Sequence, residues 1–281
     1  MSRLAYICSM PHSGSTAFSL FLGTHSKLVG LGGIDRAVAA LAEASSADGK
    51  GVNLPCTCGQ TAANCVYWGG VVAAIRAHRP PGRRERYQIA LDTFHAVFGS
   101  DAWPVDSSKH VEPLEDICTL DGLELRAFHL IKDVRALTSS FIDQARKNKT
   151  HRRPGVILSM EYFWRWHREN RKIERLLANR QIQSHRFGYE ELCLAPEAVM
   201  KEVSRFLDVQ EEAGSLCLKE SRSHLIVGNR MRNQKEKQQL RYDNRWFSRR
   251  DWALASLVFP QIRRYNSTAV YSNQTDAMWT K

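Results

Sequence analysis

The chain has 281 residues, 43% hydrophobic and 25% charged, and its 40 Lys and Arg against 29 Asp and Glu leave a formal net charge of +11. This ordinary globular composition excludes a disordered, collagen-like or coiled-coil chain, and the length suits one large domain or two small ones. No segment approaches the roughly 20 apolar residues of a membrane-spanning helix, and the start, Met1 to Cys8, turns polar too soon for a secretion signal, so a soluble, cytoplasmic protein is expected.

Residues 3–9 (RLAYICS) form a short apolar run that ends in Met10-Pro11-His12-Ser13-Gly14-Ser15-Thr16, after which Ala17, Phe18, Leu20, Phe21 and Leu22 continue as an apolar helix. That pattern reads as strand, tight loop, helix. Strand character returns at 103–106, 125–131 and 185–188, and helical patterns fill 35–46, 70–78, 84–98, 134–147, 157–179 and 196–206. Strands separated by helices predict a three-layer α/β fold, a mostly parallel central sheet with helices on both faces. The turns at 80–82 and 152–155 are too short to act as linkers, so a single domain over 1–281 is expected.

Charge is concentrated in two segments. Residues 146–186 hold 12 Lys and Arg against 3 acids, and residues 221–250 hold 9 against 2, so the remainder of the chain sums to −5. Such focusing suits a polyanionic ligand, although a charge run is also what a solvated helix face looks like. Seven cysteines, at 8, 56, 58, 65, 118, 193 and 217, are too scattered for a disulfide scaffold and are expected to be reduced. Cys56, Cys58 and Cys65 would begin a zinc set. No fourth ligand lies close by, with His78 placed 13 residues beyond Cys65 in a helical pattern, so no metal is expected. The sequons at Asn266 and Asn273 carry no meaning without a secretory route.

A Gly- and Ser-rich loop between strand and helix binds phosphate-like anions, because the helix start offers unpaired N–H groups and the positive end of the macrodipole. The triphosphatase version of this loop has Lys before its Ser or Thr; here Ser15 stands before Thr16, which disfavours ATP hydrolysis. The run Pro-His-Ser-Gly-Ser-Thr instead resembles the 5′-phosphosulfate loop of the bacterial-type sulfotransferases that use 3′-phosphoadenosine-5′-phosphosulfate (PAPS), a P-loop-like family. Further segments resemble that family in order. They are Val105-Asp106-Ser107-Ser108-Lys109-His110, then Ile131-Lys132-Asp133 with Ser140 eight residues after Lys132, then Phe187-Gly188-Tyr189-Glu190-Glu191-Leu192, and the basic loop His224 to Arg232. Cys-x-Cys-Gly followed by Cys-x-x-Trp at 56–68 also resembles bacterial members.

The resemblance implies roles residue by residue. Ser13, Gly14, Ser15 and Thr16 would hold the 5′-phosphate and sulfonate, with His12 in the place of a basic residue that stabilises the bridging oxygen. A neutral His12 would pass that burden to Lys109. Lys132, Ser140, Arg230 and Arg232 would hold the 3′-phosphate, and Tyr189 would border the adenine. His110 would be the general base, with Asp35 the other choice. PAPS would be the co-substrate, and the acceptor a small molecule, lipid or glycan. The charge over 146–186 permits an anionic acceptor, and Trp103, Phe141, Phe163, Trp164 and Trp166 line either a pocket or the core. Two other readings stand beside this one: a P-loop-like nucleotide kinase or hydrolase, and a catalytically silent relative that binds nucleic acid. Nucleic acid is the less expected partner, and nothing in the sequence marks an oligomeric face.

Overall fold

Strand β1 (Ser2–Ser9) is apolar on both faces: Leu4, Tyr6 and Cys8 enter one core, Ala5 and Ile7 another, and all five are fully buried. Alternating side chains that are all apolar belong to a strand covered on both sides. A computed structural model of the chain describes residues 2–44, 50–148, 153–212, 214–233, 236 and 239–271. It sets β1 in the middle of a five-stranded sheet of order β2-β3-β1-β4-β5, with every strand pair parallel. The others are β2 (Leu28–Gly32), β3 (Trp103–Lys109), β4 (Leu123–Ile131) and β5 (Gln183–Gly188).

One face is covered by α2 (Ile34–Ala44), α3 (Trp68–His78), α4 (Arg83–Phe98) and α5 (Val111–Ile117), joined by the C-terminal half of α7 (Gly155–Asn179). The other carries α1 (Ser15–Leu22), α8 (Tyr189–Leu194) and α9 (Pro196–Leu207). A third cluster packs α6 (Val134–Lys147) and the start of α7 against α10 (Ala253–Val258) and α11 (Pro260–Val270), through Leu137, Phe163, Trp166, Ala255 and Ile262. The three-layer α/β expectation is therefore met. The helix predicted over 35–46 is described as far as Ala44, and the sequon at Asn273 lies outside the described residues. Trp103, Phe163 and Trp166 are core residues, Trp164 is exposed, and Phe141 stands edge-on to His12 at 4.9 Å in the loop after β1.

β2 is the strand the sequence did not announce. Its two glycines answer to crowding and backbone shape: a Cβ at Gly30 would sit 2.9 Å from the Ser19 carbonyl oxygen, and Gly32 has φ +74. From β1 the chain passes over β3 to reach β2, returns through β3, then crosses β1 to β4 and β5. Connections leaving β1 and β3 in opposite directions open a crevice at the C-terminal ends of the strands, where open parallel sheets bind ligands. The loop Pro11 to Thr16, Asp35, Lys109 with His110, Lys132 with Asp133, and Tyr189 each follow or end a strand at that edge.

Candidate active site

The loop after β1 closes on itself through the Ser13 N–H, which donates to the Met10 carbonyl at 3.2 Å. His12 (φ 69) and Gly14 (φ 87) both take left-handed conformations. Gly14 caps α1 with no side-chain bond and no acid follows in the first turn, so the N–H groups and positive dipole end of α1 are available to an anion. A Cβ at Gly14 would overlap the Tyr189 ring. Glycine is thus required here twice over, by backbone conformation and by the close approach of the aromatic ring that the sequence had assigned to adenine.

Beyond that ring lies a second cationic centre. The Lys132 ammonium stands 5.2 Å from the Tyr189 ring centroid and donates to Asp243 Oδ2 at 2.8 Å. Ser140 donates to the same oxygen at 3.3 Å, and Arg245 grips both carboxylate oxygens at 2.8 Å while its Nη2 also donates to Ser140 at 3.1 Å. Lys132 and Asp243 are nearly buried, with side chains 7% and 10% exposed. Burial pushes the Asp243 pKa up, but the Arg245 bonds and the Lys132 charge outweigh it and hold this carboxyl below the usual carboxylate range. One cation, a hydroxyl and a bidentate guanidinium around one anionic group are also what a phosphate asks for. The neighbouring Asp133 plays a structural part, capping α6 through the Arg135 N–H at 2.8 Å and accepting from Asn266 at 3.1 Å and Tyr271 at 2.8 Å, which fastens α11 to the end of β4.

His12 stands among three cations. Burial holds its pKa below the ordinary histidine value; a hydrogen bond with Gln144 partly opposes this, and the charges of Lys109, Lys132 and Arg245 lower it further. Burial and these charges favour its neutral imidazole form. Lys109, which ends β3 with φ 75, is itself held below the usual lysine range by burial and by Arg36. His110 follows as the exposed first residue before α5, its carbonyl accepting from the buried Tyr6 hydroxyl at 2.7 Å. It borders a pocket of about 70 Å³ with Pro11, Glu112, Arg165, Glu169 and Lys172.

Two expected residues do not join this assembly as assigned. Asp35, at the start of α2, accepts from Arg83 Nε at 2.8 Å, so its carboxylate is engaged in an ion pair. Arg232 donates to the Gly228 carbonyl at 2.9 Å, and burial together with the Arg36 charge lowers its pKa. Arg230 begins a short 3-10 turn, Arg230–Asn233, and its side chain lies outside the described residues. The arginine beside Lys132 and Ser140 is Arg245, from the same basic segment but 13 positions beyond Arg232. Neither Arg245 nor Asp243 was singled out in the sequence. The charge count marked their segment without ranking its members.

No family model matches the chain, and no curated protein matches it in sequence. Solved structures do. The sulfotransferase domain from the curacin biosynthetic pathway superposes with a TM-score of 0.59 at 15% identity, over 92% of this chain and 98% of that one. The sulfotransferase domain of the Synechococcus PCC 7002 olefin synthase gives 0.57 at 18% identity, over 92% of this chain and 94% of its own. The fold described above is therefore the fold of these sulfotransferase domains.

Proposed function

We propose that the chain is a sulfotransferase that moves the sulfuryl group of PAPS to a hydroxyl or amine. The observation that carries this reading is that two groups able to hold anions meet at one aromatic ring: the start of α1 lies against Tyr189, and Lys132, bound with Ser140 and Arg245 around Asp243, stands 5.2 Å from the same ring centroid. A nucleoside bearing phosphates on both its 3′ and 5′ oxygens needs two such sites flanking the sugar, whereas the linear phosphate chain of ATP needs one extended cradle. The missing loop lysine and the fold shared with sulfotransferase domains support the same choice.

In this reading the backbone of Ser13 to Thr16 receives the 5′-phosphate and the sulfonate. Lys109 supplies the positive charge at the bridging oxygen that a neutral His12 does not, and His12 contributes a ring hydrogen bond. The acceptor enters the pocket bounded by His110 and the α7 side chains Arg165, Glu169 and Lys172. His110 takes the acceptor proton as the acceptor oxygen or nitrogen bonds to sulfur and the bond from sulfur to the bridging phosphate oxygen breaks. The product nucleotide, 3′-phosphoadenosine 5′-phosphate (PAP), leaves with its new charge held by the loop. Asp243 holds the place of the 3′-phosphate in the free protein and gives it up when the donor binds.

The test is a calorimetric titration with PAP, with ATP plus Mg²⁺ and adenosine 5′-phosphosulfate as parallel ligands. Tight binding of PAP with weak binding of both others is expected. Preference for ATP would replace this reading with a nucleotide kinase or hydrolase.

A further inference from the structure

The expectation of no metal rested on the lack of a fourth ligand near Cys56, Cys58 and Cys65, and the fold supplies one from 159 residues further along the chain. We infer that Cys56, Cys58, Cys65 and His224 form a tetrahedral site for a structural zinc ion. The four ligand atoms lie within 4.8 Å of one another. Cys56 and Cys65 sulfurs are 3.7 Å apart, and His224 Nδ1 is 3.9 Å from the first and 3.1 Å from the second. Bond lengths near 2.3 Å to sulfur and 2.0 Å to nitrogen in a tetrahedron call for sulfurs about 3.8 Å apart and sulfur-to-nitrogen distances of about 3.5 Å. The cluster is already close to that size. Three thiolates and an imidazole favour zinc over calcium or magnesium, and four protein ligands leave no open position for catalysis.

The backbone around the cluster is built as a clasp. Gly59, at φ +89, turns the chain so that its N–H donates to the Cys56 carbonyl at 3.0 Å, while the Cys56 N–H donates to the Gln60 carbonyl at 2.8 Å. On the far side the His224 N–H donates to the Gly30 carbonyl at 2.7 Å, and the Trp68 indole donates to the His224 carbonyl. Thr57 joins the two strands of chain, its hydroxyl donating to the Ser223 carbonyl at 2.7 Å and accepting from the Leu225 N–H at 3.0 Å. With both backbones fixed, the imidazole reaches the thiols without rearrangement. Such outer hydrogen bonds are what orient metal ligands.

The site has a consequence at the crevice. His224 lies four residues before Gly228, and the next residue, Asn229, brings its N–H to 3.5 Å from the Thr16 hydroxyl in the anion-binding loop. Zinc would therefore tie residues 56–65 to the segment that roofs the start of α1. This inference stands whatever group the protein transfers.

The full-length protein, purified under reducing conditions and passed through a desalting column, should carry about one zinc per chain by elemental analysis. Co²⁺ added to chelator-stripped protein should give the intense visible spectrum of tetrahedral, thiolate-bound cobalt. Cys58 is exposed, so Cys58→Ser leaves the core intact; it should lower zinc affinity at least tenfold in a chelator competition, with Cys217→Ser, at an exposed cysteine elsewhere, as the unchanged control. Metal-free protein that takes up neither Zn²⁺ nor Co²⁺, protein with Cys56 and Cys65 joined in a disulfide, or unchanged zinc affinity in Cys58→Ser would each overturn the inference.

Discussion

The two basic segments look alike as charge counts, +9 over 146–186 and +7 over 221–250, yet the fold spends them differently. The first is largely α7, whose charges run along a solvated face and pair with neighbours: Arg153 with Glu161, Arg168 with Glu169, Arg171 with Glu174 and Lys172 with Glu112. What holds α7 in place is its buried face, where Phe163, Trp166 and Asn170 are almost wholly enclosed. The described residues of the second segment have little regular structure, and among them Arg245 and Asp243 meet Lys132 and Ser140 after the C-terminal end of β4. Equal charge density therefore goes with two arrangements, pairing on a solvated face and convergence on a nearly buried carboxylate.

If that contrast is right, α7 should be sensitive where it is buried and neutral. His129 on β4 hydrogen-bonds Asn170 at 3.0 Å, and burial lowers its pKa from 6.5 to about 4, a drop that the Asn170 bond and Glu174 partly offset. The folded state therefore prefers neutral imidazole: this stability is complete above pH 6.5 and drains away as pH falls toward 4. The loss amounts to about 3 kcal/mol, at roughly 1.4 kcal/mol per pH unit between the two values. Denaturant melts of wild type and His129→Gln between pH 4 and pH 7 should diverge in slope; parallel curves would remove His129 from the account.

The next effects belong to the crevice. His110→Ala should cut turnover by about 10² while leaving PAP affinity nearly unchanged, the split expected for loss of a general base. A fall in affinity with turnover preserved would make His110 a binding residue and reopen the case for Asp35. Lys132→Ala should weaken PAP by about 30-fold or more with an unchanged far-ultraviolet spectrum, since it removes a nearly buried cation from a charged cluster. Indifference would detach the 3′-phosphate from this site. The smallest change is expected on the solvated face of α7, where Arg168→Ala and Arg171→Ala should alter PAP affinity less than twofold and stability by under about 0.5 kcal/mol.

Much of this was legible in sequence where one stretch of chain carries the whole feature. The loop from Pro11 to Thr16 is contiguous with the strand that feeds it and the helix it caps, so periodicity and turn chemistry place it without knowledge of the rest. Tyr189 and Lys132 were assigned by resemblance, and the fold brings both to the loop. β2 stayed hidden because it is short, fully buried and interrupted by Gly30 and Gly32, which deprive it of both alternation and β-branched bulk. Arg245 was not singled out for a different reason: in a stretch whose described residues have little regular structure, position along the chain says little about which guanidinium reaches Lys132 and Ser140. The cysteine cluster lacked its histidine because that partner arrives through tertiary contact from across the chain.

The central claim is that Lys132, Ser140 and Arg245 form the site of a 3′-phosphate for which Asp243 stands in. It is tested most directly by titrating wild type and Asp243→Ala side by side with PAP and with AMP, which lacks the 3′-phosphate. Wild type should prefer PAP, and Asp243→Ala should tighten PAP by roughly tenfold, since no internal carboxylate need then be displaced, with AMP unaffected. Equal affinity for PAP and AMP in both proteins would contradict it.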